Sequence, residues 1–87
     1  MYREMITVNN KKELIELIKQ RIKDQGPKCD LNDIDVSKVT DMSHLFYLSI
    51  FDGDISKWNV GSVVDMRDMF EDSPLEFREP SWCRDDD

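Results

Sequence analysis

The order of hydrophobic and polar positions predicts a short strand followed by an amphipathic helix at the start of the chain. Glu4–Val8 is rich in β-prone side chains, which is typical of a strand. Asn10 is a good N-cap, and a Gly-Pro pair downstream stops helical structure. We therefore predict a helix over Lys11–Gln25. Its apolar side chains recur at helical spacing and form one stripe: Leu14, Ile15, Leu17, Ile18 and Ile22.

An amphipathic helix of this kind could lie on a membrane surface or cover the end of a protein core. The apolar stripe has no aromatic anchors, and the polar face mixes both charge signs. An interfacial helix is normally rich in Lys and Arg on that face. We therefore expect the helix to cap the rest of the chain, as terminal elements of repeat proteins do.

A second pattern begins at Asp30 and starts again at Asp54. Residues 30–46 and 54–70 share identical or similar side chains at matching places, including Asp30 and Asp54, Val36 and Val60, Val39 and Val63, Asp41 and Asp65, Met42 and Met66, and Phe46 and Phe70. A fixed offset of this size is typical of stacked repeats. We divide one domain into a cap (1–28), a first repeat (29–53), a second repeat (54–77) and a tail (78–87).

Each repeat is predicted to contain a strand and then a short helix. Leu31–Val36 and Ile55–Val60 alternate between apolar and polar side chains, which indicates half-buried strands. Val39–Phe46 and Val63–Phe70 then follow helical spacing, with Asp41 and Asp65 expected in the first helical turn. The predicted fold class is α/β (α+β). It consists of two stacked strand–short-helix repeats, capped by an N-terminal strand and an amphipathic helix, with Trp58 in the core.

Charge is distributed unevenly along the 87 residues. The formal net charge is −7, with seven basic and four acidic side chains in residues 1–28 and five basic and fifteen acidic side chains in residues 29–87. The acidic repeats argue against direct nucleic-acid binding, because phosphates require basic patches. An acidic face suits a protein partner with a basic surface, or serves solubility alone.

The residue inventory gives little support for catalysis. His44 is the single histidine and has no nucleophile at a recognisable spacing, and the glycines are scattered. We predict no catalytic residues, no metal site and no cofactor, and we interpret the chain as a non-enzyme. The N-terminus lacks a secretory signal, and no stretch suits a membrane span. We therefore expect a cytoplasmic location with reduced Cys29 and Cys83, or the cell surface if the chain is a fragment.

The runs DISKWNV–x3–VDMRDMF and DIDVSKVTDMSHLF resemble the BspA-like surface-protein leucine-rich repeat. Its consensus is close to DIS-x-W-[ND]-V-S-x-V-T-D-M-x-x-MF. The resemblance covers about Asp30–Leu75. Members commonly carry many repeats, with a period one position longer than the offset from Asp30 to Asp54, whereas this chain has two. The resemblance implies a repeat fold and a non-catalytic interaction role.

Two functions from different classes follow. The first is a protein-interaction module, and the second is a small acidic inhibitor that mimics nucleic-acid charge, as phage-borne anti-defence proteins do. Steep loss of binding with added salt would favour the second. The candidate partner-binding residues are four exposed strand positions and five acidic residues of the following turns: Asp33, Asp35, Lys57, Asn59, Asp41, Asp65, Asp68, Glu71 and Asp72.

Overall fold

The structure, a computed structural model, describes residues 4–83 as a small mixed α/β domain. Its elements are β1 (Ile6–Thr7), α1 (Lys11–Gln25) and β2 (Ile34–Asp35). The two strands pair in parallel, with Ile6 opposite Ile34 and Thr7 opposite Asp35. The ends of the predicted cap and tail, residues 1–3 and 84–87, lie outside the described residues.

Helix α1 has the predicted bounds because its capping signals are local. The Asn10 side chain accepts a hydrogen bond from the Glu13 backbone N–H at 3.0 Å, and the Glu13 carboxylate accepts one from the Asn9 N–H at 2.9 Å. Gly26 ends the helix with a φ of 90° and donates its N–H to the Ile22 carbonyl at 2.8 Å. Glycine adopts this conformation without steric cost.

The apolar side of α1 packs on the segment that follows β2. Leu14 and Ile18 are buried in the common core, with Ile15, Leu17 and Ile22 packed around them. The Lys11 ammonium donates a hydrogen bond to the Ser43 carbonyl at 2.6 Å. The helix therefore covers one side of the residues that follow it.

The predicted short helices over Val39–Phe46 and Val63–Phe70 are wrong. The chain there forms consecutive turns, which we call the first turn segment (residues 40–49) and the second turn segment (residues 64–73). A left-handed residue recurs every fourth position in both segments, and an α-helix cannot continue through a positive φ. These residues are His44, Leu48, Asp68 and Asp72, with φ values of 57°, 56°, 54° and 57°.

The predicted strands are also shorter than expected. Leu31–Val36 contributes only Ile34–Asp35, and Ile55–Val60 forms no strand. Turns replace extended pairing there, although Asp54 makes an isolated parallel bridge to Asp30. The chain approaches itself closely at this point, because a Cβ on Gly53 would lie 1.9 Å from the Cys29 carbonyl oxygen. Glycine is required there for space.

Backbone hydrogen bonds join the two turn segments along their length. Alternate N–H groups of the first segment donate to alternate carbonyls of the second at 2.8–3.2 Å: Met42 to Asp65, His44 to Arg67, Phe46 to Met69 and Leu48 to Glu71. The intervening N–H groups of Leu45 and Tyr47 close turns within their own segment. From Met42 onward, the first segment is therefore the donor and the second segment the acceptor in each of these bonds.

Aromatic rings form the centre of the core. Phe46 stacks on Phe70 with centroids 5.5 Å apart and planes inclined by 4°, and it also stacks on Phe51 at 4.9 Å. Trp58 stacks on Phe46 and on Trp82, each at 6.1 Å. Such offset contacts stabilise a core beyond simple area burial.

The two tryptophans make equivalent hydrogen bonds. The Trp58 indole N–H donates to the Leu31 carbonyl at 2.9 Å, and the Trp82 indole N–H donates to the Ile55 carbonyl at 2.8 Å. Trp82 follows Trp58, and Ile55 follows Leu31, by the same number of residues that separates Asp30 from Asp54. Trp82, which the sequence division assigned to the tail, therefore occupies the place that follows Trp58 in the same series.

Replacing Trp58 tests this core. Trp58→Ala should destabilise the protein by about 3–5 kcal/mol, because Trp58 is buried and a small domain cannot refill the cavity. Trp58→Phe should cost less, since an aromatic ring remains while the bond to Leu31 is lost. Urea unfolding measures both. A Trp58→Ala variant that unfolds at the wild-type urea concentration would contradict the assignment.

Candidate functional site

Three of the predicted acidic contact residues, Asp35, Asp41 and Asp65, build backbone turns, as does the predicted contact Asn59. Each carboxylate or amide oxygen accepts a hydrogen bond from the N–H two residues ahead, at 2.8–3.1 Å, which defines an Asx turn. The six positions form three pairs, each related by the repeat offset: Asp30 and Asp54, Asp35 and Asn59, and Asp41 and Asp65. Asp41 and Asp65 therefore shape turns and do not begin the helices that their positions predicted.

Hydrogen bonding lowers the pKa of several of these carboxyl groups. The Ser56 backbone N–H, together with Asn32 and the Ser56 hydroxyl, lowers the pKa of Asp54 to about 2. The Arg67 guanidinium, followed by its backbone N–H, lowers the pKa of Asp65 to about 2. Hydrogen bonds from Ser37 lower the pKa of Asp35, and bonds from Ser43 lower that of Asp41. These groups favour the ionised form because the donors act on charged oxygens.

Asp33 is not the exposed contact that strand alternation predicted. Its carboxylate accepts two hydrogen bonds from the Arg21 guanidinium, at 2.9 and 2.7 Å, and its side chain is only 13% exposed. Arg21 belongs to α1. Asp33 therefore ties the helix to the residues beside β2.

Lys57 and Asn59 both take part in hydrogen bonds between backbone and side chain. The Lys57 N–H donates to the Asn32 side chain at 2.9 Å, and its own side chain is exposed. Asn59 accepts the Gly61 N–H at 3.0 Å. Both side chains are exposed, and the Asn59 side-chain oxygen is engaged in its turn.

The remaining acidic candidates gather beside exposed apolar residues, and we call this surface the turn face: Tyr47, Leu48, Ile50, Asp68, Glu71 and Asp72. Leu48 and Ile50 are 65% and 63% exposed. The two turn segments bring the groups together, because the Leu48 N–H bonds the Glu71 carbonyl at 3.2 Å. The His44 imidazole also lies 3.4 Å from the Asp68 carboxylate and against the Tyr47 ring.

A shallow groove of about 210 Å³ opens next to the turn face. Side chains of α1, including Ile15 and Ile22, line one wall, and Tyr47, Leu48 and Ser49 line the other. A second depression of about 180 Å³ lies over residues 53–56 under Arg78 and Pro80. The groove beside the turn face is mostly aliphatic and suits a side chain better than a polar substrate.

Other chemistry has little basis in the described part of the chain. Within residues 4–83, no three His, Cys, Asp or Glu side chains gather as they would around a metal ion. Cys29 is buried, and burial raises the pKa of its thiol, which makes the reactive thiolate scarce.

Over residues 4–83, no helix has both the length and the apolar character needed to cross a membrane.

The described residues form a small mixed α/β domain. Residues 13–80 match the family described as Mycoplasma protein of unknown function, DUF285. The chain therefore belongs to the DUF285 family. No curated protein and no solved structure gave a significant match.

Sequence reasoning missed the apolar half of the turn face and the role of Arg21. Tyr47, Leu48 and Ile50 follow the first matched stretch, residues 30–46, and carry no repeat signal. The recurring Asp-x-Ser sequences at Asp41 and Asp54 were a usable signal for Asx turns. The Arg21–Asp33 pair had no local signal, since its members belong to different elements.

Removing the Asp33 carboxylate tests the tie between α1 and β2. Asp33→Ala should destabilise the protein by about 2 kcal/mol, because it leaves a partly buried guanidinium without its charged acceptor. Lys57→Ala is the matched control on an exposed side chain and should have little effect. Equal melting temperatures for the two variants would show that the ion pair contributes nothing measurable.

Acid should weaken the fold through the Asx turns. The pKa values of Asp54 and Asp65 lie near 2 in the folded protein, below the ordinary value of 3.8. Their stabilisation is therefore complete above pH about 4 and is lost as the pH falls towards about 2. Melting temperatures across this range measure the loss.

The matched variant for this pH dependence is Asp54→Asn. It keeps an oxygen acceptor for the turn but does not titrate, so its melting temperature should fall less steeply in acid than that of wild type. Glu71→Gln is the control, because the Glu71 carboxylate accepts no hydrogen bond within residues 4–83. If Asp54→Asn keeps the full acid response, Asp54 is not a source of it.

Proposed function

We propose that the chain is a non-catalytic protein-interaction module made of stacked BspA-like leucine-rich repeats, and that the turn face binds a protein partner with a basic surface. The family description assigns no activity, so the proposal rests on the surface and on the repeat architecture.

Contacts between residues one repeat apart support the stacked-repeat interpretation. Asp30 bridges Asp54, Asp41 bridges Asp65, Phe46 stacks on Phe70 and Trp58 stacks on Trp82. In a repeat stack, equivalent residues of successive units lie beside each other in this way. The Asx turns then provide a rigid frame that leaves other side chains available for binding.

The observation that carries the proposal is the exposure of Leu48, with Ile50 two residues further on, where the Leu48 N–H bonds the Glu71 carbonyl and brings Glu71 and Asp72 alongside. Large apolar side chains clustered on a small domain typically mark an interaction surface. An apolar centre with an acidic rim resembles the usual arrangement of a protein interface. The rim would favour a partner with Lys or Arg around an apolar contact.

The acidic-inhibitor alternative uses the same carboxylates in a different way. Binding by charge mimicry needs no apolar centre and should weaken steeply when salt screens exposed charges. Binding through Leu48 and Ile50 should be less sensitive to salt, because apolar burial dominates it. Salt dependence therefore separates the two functions.

Affinity capture with surface variants tests the proposal. The immobilised chain is incubated with an extract of its source cells, and retained proteins are identified by mass spectrometry. We expect Leu48→Asn combined with Ile50→Ser to lose at least one specific partner, while the melting temperature stays within a few degrees of wild type. Asparagine is chosen at residue 48 because it tolerates the left-handed conformation there.

Phe77→Ser is the matched control, since Phe77 is 88% exposed but lies outside the turn face. It should retain the same partner. Capture that is unchanged by Leu48→Asn with Ile50→Ser would refute the turn face as the binding site. Capture that vanishes between about 0.1 and 0.5 M salt, whatever the apolar variant, would favour the charge mimic instead.

A further inference from the structure

The outer edge of the second turn segment carries a row of backbone donors with no acceptor. The N–H groups of Met66, Asp68 and Phe70 make no hydrogen bond among the residues that the structure describes. The next donor in the row, the Asp72 N–H, is covered by the Glu76 carboxylate at 3.2 Å. Backbone donors in folded proteins are nearly always paired or hydrated. Asp68 is exposed, and the buried residues Met66 and Phe70 flank it, so this row is an open edge centred on Asp68, comparable to the edge of a sheet.

The first turn segment shows what such a row binds. Its equivalent donors, Met42, His44 and Phe46, bond the carbonyls of alternate residues in the second segment at 2.8–3.0 Å. The left-handed residues of the two segments also correspond, with φ values of 57° at His44 and 54° at Asp68. The open row thus has the backbone shape that already holds a polypeptide one segment earlier.

Charge around the edge selects the kind of polypeptide. Asp68 and Glu71 are exposed beside the open donors. Asp65 is engaged by the Arg67 guanidinium at 3.0 Å, so this pair adds little net charge. The Asp68 carboxylate, which lies 3.4 Å from the His44 imidazole, and the Glu71 carboxylate favour a segment with Lys or Arg side chains next to the carbonyls that bond the row.

A second copy of this chain is a poor occupant. Its matching acceptors would be the outward carbonyls of the first turn segment, but α1 lies over that side and Lys11 already bonds the Ser43 carbonyl at 2.6 Å. The chain also carries a formal charge of −7, which opposes self-association.

We infer that the open edge formed by Met66, Asp68 and Phe70 binds an extended basic segment of a partner protein through backbone hydrogen bonds. This inference rests on the proposed interaction function and adds a second contact beside the turn face. The mode is strand addition, in which the main chain provides affinity and flanking side chains provide specificity.

Amide hydrogen exchange on the full chain, followed by NMR, tests the edge directly. In the unbound protein, the amides of Met42, His44 and Phe46 should be protected, and those of Met66, Asp68 and Phe70 should exchange faster, with Asp68 the fastest of the three. The probe is an alternating Lys-Val octapeptide with blocked ends, and the control is the same peptide with Glu in place of Lys. At a peptide concentration near ten times its Kd, the basic probe should slow exchange at the three edge amides about tenfold.

A backbone substitution provides a matched pair of proteins. Replacing the amide that precedes Asp68 with an ester removes one edge donor. It also makes the Arg67 carbonyl, which accepts the His44 N–H, a weaker acceptor, so the melting temperature should fall slightly, while the basic peptide should bind roughly fivefold to tenfold more weakly. The same replacement before His44 removes a bond to the Arg67 carbonyl and should lower the melting temperature.

Side-chain variants test the charge requirement. Asp68→Asn with Glu71→Gln should weaken the basic peptide, while Glu16→Gln on the exposed side of α1 should not. Equal binding of the acidic and basic probes, or protection of the edge amides in the unbound protein, would overturn the inference. Protection that rises with protein concentration alone would assign the edge to self-association and would also overturn it.

The outcomes also separate this inference from the proposed function. If a captured partner depends on Leu48 and Ile50 but leaves exchange at the edge amides unchanged, the edge inference fails and the interaction module stands. If no specific partner depends on the turn face, the proposed function fails, whatever the octapeptide does.

Discussion

The hydrogen bonds that pass from alternate N–H groups of the first turn segment to the second are the interaction on which the rest of this structure depends. They hold two irregular stretches in register without a regular helix or strand in either. That register places Phe46 over Phe70 at 5.5 Å, close to the spacing of hydrogen-bonded strands. It also sets Leu48 beside Glu71 on the turn face. Core packing and surface composition therefore follow from the same backbone pairing.

The acidity of residues 29–87 has a structural explanation that a charge count conceals. An Asx turn needs an acceptor on a short side chain, and aspartate supplies one at a position where the backbone reverses. The pairs Asp30 and Asp54, and Asp41 and Asp65, use their carboxylates in this way. Partner binding is therefore not needed to account for them. Glu71 and Asp72 are different, because within residues 4–83 neither carboxylate accepts a hydrogen bond from the N–H two residues ahead. These two residues contribute to the acidic rim of the turn face.

Helix α1 could be predicted from sequence because its cap, stripe and stop signal lie within one short stretch. The turn segments could not, because Val39, Met42, Leu45 and Phe46 have a spacing that fits four-residue turns as well as a helix. The left-handed residues that decide between them are His44, Leu48, Asp68 and Asp72, and none is a glycine. Only part of the candidate site could be predicted, because some of its contacts join residues that are distant in sequence. Strand alternation marked Asp33 as exposed, whereas its environment is set by Arg21, from an element that local patterns treat separately.

The shared direction of the bonds between the turn segments gives the molecule an electrical polarity. Aligned N–H groups leave partial positive charge at the outer edge of the second segment, and the outward carbonyls of the first leave partial negative charge beneath α1, as at the two ends of a helix. Formal charges compensate both poles. Residues 1–28 carry a net charge of +3, with the Lys11 ammonium on the Ser43 carbonyl, while the acidic residues Asp68 and Glu71 flank the donor edge. The uneven charge of the chain therefore counteracts the field of its own peptide groups.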